Sequence, residues 1–145
     1  MTANLIIKPM EEADIKRCIS IALENWPGNR RVKDNICYEL ADPYAWYYVA
    51  WLANAIVGFA GYRRSSINYD VYEFAWCNVL AEYRGRGIGR ALTEYRIKMV
   101  EVSNGRAILL STHLPELYER YGFRSLGTFK WWASDETHLM IKDML

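Results

Sequence analysis

The stretch Tyr72-Glu73-Phe74-Ala75-Trp76-Cys77-Asn78-Val79-Leu80-Ala81-Glu82-Tyr83-Arg84-Gly85-Arg86-Gly87-Ile88-Gly89-Arg90-Ala91-Leu92 changes period in its middle, and that change decides the fold class. Residues 69–80 are dense in aromatic and β-branched side chains, the signature of a strand. Alternation within it puts Glu73, Ala75, Cys77 and Val79 on one face. From residue 87 to 102 the apolar positions Ile88, Ala91, Leu92, Tyr95, Met99 and Val102 recur at helical spacing instead. Three glycines and three arginines occupy the junction between the two periods. Glycines there allow close approach of the backbone to a ligand. Unpaired N–H groups at a helix start, the helix dipole and the guanidinium groups of Arg84, Arg86 and Arg90 together suit a pyrophosphate. A solvated basic turn is the plainer alternative, but a turn requires neither three glycines nor three arginines.

Working outward, residues 5–8 read as a first strand. Residues 11–23 form a helix with Ile15, Cys18, Ile19, Ala22 and Leu23 on one face, stopped by Trp26-Pro27-Gly28. A second helix over 32–40 carries Ile36, Cys37 and Leu40 and is broken by Asp42-Pro43. The apolar run 45–62 is interrupted by Asn54, Gly58 and Gly61, so it reads as two antiparallel strands, 46–52 and 56–62, rather than a membrane span. Beyond the central helix, ended by Asn104-Gly105, come a buried strand over 107–111, a short helix over 116–121 closed by Gly122, and strands over 125–131 and 138–142. The expected fold is α+β: a mixed, mostly antiparallel sheet with helices on both faces, in one domain spanning residues 1–145.

Composition narrows the function classes. With 145 residues, 52% hydrophobic and 24% charged, the chain has the makeup of a globular domain and not of a disordered one. Eighteen Lys plus Arg against 17 Asp plus Glu give no overall electrostatic case for nucleic acid or an anionic membrane. The local bias is sharper. Arg84, Arg86, Arg90, Arg96, Lys98 and Arg106 face only Glu94 and Glu101 in the same segment, which therefore is expected to meet an anion. Cys18, Cys37 and Cys77 are odd in number, far apart and without a CxxC pair. They fit reduced thiols packed as core filler and imply no metal site. The opening residues lack a secretory pattern, so a cytoplasmic location is expected.

Two other phosphate loops match poorly. A Walker loop requires Lys and Ser or Thr after its last glycine, where Arg90-Ala91 stand; a dinucleotide fingerprint requires glycine at the place of Arg90. The run instead resembles the coenzyme A motif of the GNAT superfamily of N-acetyltransferases: Gln or Arg, two residues, Gly, one residue, then Gly or Ala. Arg84, Gly87 and Gly89 match in register. The family's fourth strand ends on a Val whose backbone contacts the pantetheine arm, and Val79 holds that place. Leu117-Tyr118-Glu119-Arg120-Tyr121-Gly122-Phe123 resembles the second signature, a Tyr followed four residues later by Gly-Phe. Ala81 stands where many members have Pro, and Ser111 near where many have Asn. The resemblance covers nearly the whole chain and implies acetyl-coenzyme A as acetyl donor, with no metal. The residues that it assigns to the donor are Cys77, Val79, Arg84, Gly85, Arg86, Gly87, Ile88, Gly89 and Arg90. A small-molecule or peptide amine is the implied acceptor, and the exposed final strand leaves a homodimer open.

Acetyl transfer needs a neutral amine, whereas a free alkylammonium has a pKa of about 10.4, so a base or a desolvating pocket is required. Glu73 is the candidate. Its offset of six residues from Val79 is similar to that of the general-base Glu in the superfamily's histone acetyltransferases, acting directly or through a water; the alternative is a strand-end Glu in solvent or an ion pair. Tyr118 matches the family's general-acid Tyr, with Tyr121 the second choice and simple ring packing the alternative. A phenol near pKa 10 facing a thiol near 8.5 makes full proton transfer uphill by about 2 kcal/mol, which favours hydrogen bonding to the leaving sulfur. The N–H of Val79 is placed to polarise the thioester carbonyl. An acetyl-cysteine route through Cys77 is disfavoured by an expected buried position and no adjacent His. His113 and His138 read as surface or packing residues, His113 being near the second motif. Acceptor specificity is expected in residues 25–31 and 130–136, the latter with Trp131-Trp132 and Asp135-Glu136. Two further readings remain: a non-catalytic acyl-coenzyme A sensor on the same fold, and a dinucleotide-dependent enzyme.

Overall fold

The computed structural model of the chain describes residues 4–131 and 135–145. Seven strands form one mixed sheet in the order β1-β2-β3-β4-β5-β7-β6, with β1 Leu5–Pro9, β2 Ala45–Leu52, β3 Ala55–Arg64, β4 Val71–Val79, β5 Ala107–Thr112, β6 Arg124–Trp131 and β7 Asp135–Asp143. The helices are α1 Glu12–Asn25, α2 Arg30–Leu40, α3 Ile88–Val102 and α4 Pro115–Glu119. β4 and β5 pair in parallel register, and β1–β2, β2–β3, β5–β7 and β6–β7 are antiparallel. This is the mixed α/β, mostly antiparallel sheet that the periods of the sequence predict.

Local chemistry explains most of the boundaries. At the start of α1 the Glu11 N–H donates to Asp14 Oδ2 (2.9 Å), and the chain leaves the helix where the Trp26 N–H bonds to the Ala22 carbonyl ahead of Pro27. Asn29 caps α2 by accepting from the Val32 N–H (3.1 Å), which begins that helix two residues earlier than the apolar pattern suggests. The β2–β3 hairpin turns at Ala53-Asn54, with Ala53 at φ +55°; Asn104, at φ +58°, closes α3.

By contact density the chain divides into two compact units: Met1–Arg63 with Ala75–Lys98, and Arg64–Phe74 with Met99–Leu145. In the first, Cys18, Ile21 and Ala22 of α1 and Val32, Ile36 and Leu40 of α2 pack on Tyr47, Val49, Phe59 and Leu80. On the opposite face Ile88 and Leu92 of α3 pack on Ala50, Val57 and Ala60. Full burial of a side chain such as Ile21 or Phe59 contributes about 1.5–3 kcal/mol. Burial also lifts the Cys18 thiol from 9.0 to about 12 and raises the Tyr47 phenol, with Glu39 and Asp42 adding to the latter. In the second unit β5, β7 and β6 pair in that order, and Arg106 meets Asp70 at 3.5 Å.

Three expectations are corrected. Cys37 and Cys77 are exposed, so only Cys18 is a core filler, and the low reactivity inferred for Cys77 from burial does not hold. Strict alternation along β4 fails: Ala75 and its neighbour Trp76 both pack against the α1/α2 cluster, whereas Val79 packs against the α3 cluster. The Arg96 guanidinium, 1% exposed, reaches from α3 to donate to the Gly61 carbonyl of β3 (3.0 Å) and the Ala75 carbonyl of β4 (3.2 Å). Arg96 therefore leaves the basic segment that was expected to face an anion.

Candidate active site

The loop after β4 is built for close approach. Ala81–Tyr83 makes one tight 3-10 turn, then Gly85 and Gly87 adopt φ +78° and +83°, the left-handed region disfavoured for residues with a Cβ. A Cβ at either glycine would meet nothing within 4 Å, so the backbone conformation requires glycine there and packing does not. The helical ladder of α3 opens with the Ala91 N–H on the Gly87 carbonyl (3.0 Å), which leaves the amides ahead of Ala91 outside that ladder. Ile88, 1% exposed, pins the loop to the core, and the Val79 side chain lies 3.9 Å from where a Cβ on Gly89 would stand. A left-handed glycine pair, open space above it and helix-start amides fit a pyrophosphate.

The three arginines serve this loop in different ways. Arg84 turns back so that its Nε–H donates to the Val79 carbonyl (3.2 Å), Arg86 lies over the Tyr83 ring (5.0 Å to the centroid), and Arg90 pairs with Glu94 one turn along α3 (2.6 Å). All three are exposed. Val79 O and the neighbouring Asn78 side chain also receive bonds from Asn25 and Trp26 at the end of α1.

Glu73 and Tyr118 lie in the other compact unit. Glu73, half-buried, opposes Leu109 at the last of three β4–β5 pairs, Val71↔Ala107, Tyr72↔Ile108 and Glu73↔Leu109; β4 continues six residues past that register. Tyr118 is half-buried on α4, and its carbonyl accepts from the Tyr121 N–H (3.0 Å) and the Phe123 N–H (3.3 Å). Its ring meets Phe123 edge-on at 5.9 Å, and Phe123 in turn meets Phe74, which follows Glu73, at 5.7 Å. Gly122, at φ +90°, makes the bend that returns Phe123 to this cluster, which gives the Gly-Phe pair of the second signature a packing reason. Thus the residues assigned to the donor, Cys77, Val79 and 84–90, gather in one unit, and both candidate proton-transfer groups gather in the other.

The remaining candidates have ordinary settings. His113 Nδ1 lies 3.2 Å from the Glu136 carbonyl, an acceptor only, which puts the proton on that nitrogen. His138 meets Ser125 (3.3 Å), and Ser111, exposed, opposes Leu139. In the 130–136 segment Trp132 lies outside the described residues, as do the side chains of Trp131 and Asp135. Among the described residues no group of three or more His, Cys, Asp or Glu gathers as a metal would need, and no helix is long and apolar enough to cross a membrane. Asn25 falls in the segment 25–31 expected to set acceptor specificity, whereas Asn78, which it meets, carries no expectation from the sequence; an Asn inside an apolar strand is the signal that points to it.

The chain is 29% identical over 133 residues to an uncharacterized protein of Mycobacterium leprae (strain TN), spanning 85% of this chain but only 35% of that longer protein. In fold it is similar to the ribosomal-protein-S18-alanine N-acetyltransferase of Escherichia coli (16% identity, 97% and 94% of the two chains, TM-score 0.82). It is similar likewise to an aminoglycoside 6'-N-acetyltransferase complexed with coenzyme A (19% identity, 97% of each chain, TM-score 0.80). Residues 43–125 match the family model described as the acetyltransferase (GNAT) domain, and the chain belongs to that family of acyltransferases.

Proposed function

We propose that residues 1–145 act as one N-acetyltransferase domain that passes an acetyl group from acetyl-coenzyme A directly to an amine of a small molecule or peptide. The 84–90 loop carries this reading: left-handed Gly85 and Gly87, with open space at both, lead directly into the first turn of α3. Gly85, Gly87, Gly89 and the amides of Ile88 and Arg90 would hold the pyrophosphate, with Arg84 and Arg86 adding charge, and the backbone of Cys77 and Val79 would line the pantetheine arm. Bound there, acetyl-coenzyme A supplies a thioester carbonyl activated towards an amine.

The chain's own residues then manage protons. The Glu73 carboxylate accepts a proton from the amine nitrogen, directly or through a water, and so restores its lone pair. The Tyr118 hydroxyl holds a proton for the departing sulfur, as a hydrogen bond more than as a full transfer. The Val79 N–H favours negative charge on the carbonyl oxygen. The fold relatives act on a protein alanine and on an aminoglycoside, so both peptide and small amine belong in the acceptor screen. A cytoplasmic location and a homodimer remain part of this reading, but the final strand β7 is paired on both sides, by β5 and β6, so it does not offer the free edge expected of it.

Calorimetric titration with acetyl-coenzyme A and with NAD is the test. Gly87→Trp would confound it, because φ +83° strains any side chain there whatever the ligand does. Gly89→Glu is the cleaner variant, since a Cβ at Gly89 makes only an ordinary contact and the carboxylate opposes the phosphates. Binding of acetyl-coenzyme A by the wild type that is lost in Gly89→Glu, without a response to NAD, supports the reading. Absence of acetyl-coenzyme A binding by the folded wild type overturns it.

A further inference from the structure

The bond that fixes the proton of His113 leaves its other nitrogen bare. His113 stands between the end of β5 and the start of α4, where its Nδ1–H donates to the Glu136 carbonyl (3.2 Å) and lies 3.5 Å from the Thr137 hydroxyl. A carbonyl only accepts, so Nε2 carries the lone pair, and among the described residues it has no hydrogen-bond partner. The residue is exposed, yet anchored from β7. Its side of the sheet follows from the register. Ile108 and Leu110 are buried on one face of β5, so Leu109 and Ser111 take the other, which Glu73 shares through the pair Glu73↔Leu109. Thr137 belongs to that face too, two residues before Leu139, the partner of Ser111. Counted from Glu73↔Leu109, four residues lead past the end of β5 to His113, and four lead along β4 to Cys77, one of the residues assigned to the donor.

The chemistry of the transfer calls for a second proton acceptor. An alkylammonium that becomes an amide nitrogen gives up two protons, one before the attack and one after it. In the proposed function Glu73 accepts the first, and the Tyr118 hydroxyl bonds to the sulfur without relieving the nitrogen. We propose that His113 accepts the second, its Nε2 taking the proton from the tetrahedral adduct before the C–S bond breaks. This rests on the proposed acetyl-coenzyme A site and on direct transfer to an amine. The amine lone pair forms the C–N bond, the N–H pair returns to nitrogen as Nε2 takes the proton, and the C–S pair leaves with the sulfur as thiolate. The imidazolium then gives its proton to water. Nδ1–H stays on the Glu136 carbonyl throughout, and that oxygen faces the ring's positive charge as it forms.

Two substitutions separate proton transfer from anchoring. In His113→Asn an amide N–H replaces Nδ1–H on the Glu136 carbonyl, but no basic nitrogen replaces Nε2; His113→Ala loses both. Transfer from acetyl-coenzyme A to butylamine and to alanyl-lysine is followed by mass spectrometry of the acetylated amine, with calorimetry of donor binding on the same samples. Both variants are expected to bind acetyl-coenzyme A within about twofold of wild type and to lose about 100-fold in kcat, the low end for acid–base catalysis. Added imidazole is expected to restore about tenfold of that loss in His113→Ala. Nitrogen NMR of the wild-type imidazole should show Nδ1 protonated and Nε2 bare. Wild-type rates in His113→Asn, a loss in His113→Ala that imidazole leaves in place, or a proton on Nε2 in the free protein overturns this role and leaves the donor site standing. No acetyl-coenzyme A binding by the wild type, or binding without transfer to either amine, overturns the transferase reading itself and takes the His113 role with it.

Discussion

Glu73 and Tyr118 are distinguished by what substitution does to pH dependence. If Glu73 takes the amine proton, Glu73→Gln lowers kcat/KM by about 100-fold near neutrality, the low end for acid–base catalysis. The deficit should shrink as pH rises towards about 10.4, because the amine then loses its proton unaided. A pH-rate profile of the pair checks this, and a constant ratio across the range would assign Glu73 to structure. Tyr118→Phe keeps the edge-on contact with Phe123 and deletes the hydroxyl, so the melting temperature should hold while kcat falls. The thiols offer a simpler check. Cys37 and Cys77 are exposed, whereas Cys18 is buried with its thiol lifted to about 12, so a disulfide reagent at neutral pH should modify two cysteines quickly and spare Cys18 until unfolding. Exposure was the property that the sequence around Cys37 and Cys77 did not reveal. Both sit among apolar residues on a helix or strand, and burial is set by which neighbours arrive across the sheet.

At the scale of elements, the β2–β3 hairpin carries a correctable strain. Ala53 holds φ +55° at the first central position of the turn, a place suited to glycine, so Ala53→Gly should stabilise the protein by about 1 kcal/mol in urea denaturation. The α3–β4 contact carries the opposite expectation. Arg96→Met leaves the Gly61 and Ala75 carbonyls without their buried donor and should cost about 2–4 kcal/mol. Arg96→Lys, which keeps charge but not the fork, should fall between. The strands and helices were legible to within two or three residues because period, caps and breakers are local. The side on which each β4 residue packs was not, since it depends on which helix lies over that part of the strand. Asn78 was equally silent, since its partners stand 52 and 53 residues away.

For the whole molecule, a bound donor should raise the melting temperature with the logarithm of its concentration, with about 2.7 kcal/mol of stabilisation at a hundred times Kd. A thermal-shift series with acetyl-coenzyme A measures it. Alkaline pH should act in reverse. A thiol whose pKa rises on folding contributes stability that is complete below its unfolded value of 9.0 and is lost as pH climbs towards about 12. Burial raises the Tyr47 and Tyr48 phenols as well, which extends the loss above 10.0. Melting temperature should therefore stay level to about pH 9 and then fall, with a shallower early fall in Cys18→Ala. By itself the sequence determined the kinds and order of the elements, the strand–loop–helix junction at residues 72–92 and the two signatures around Arg84 and Tyr118. Each of these depends on the spacing of residues close along the chain. Tertiary structure alone decided that β7 lies between β5 and β6, that Arg96 turns inward, that Cys77 faces solvent, and that Asn25 and Arg84 share the Val79 carbonyl. Those outcomes depend on which distant groups meet, and hydrogen bonding and burial between distant residues leave no period to read.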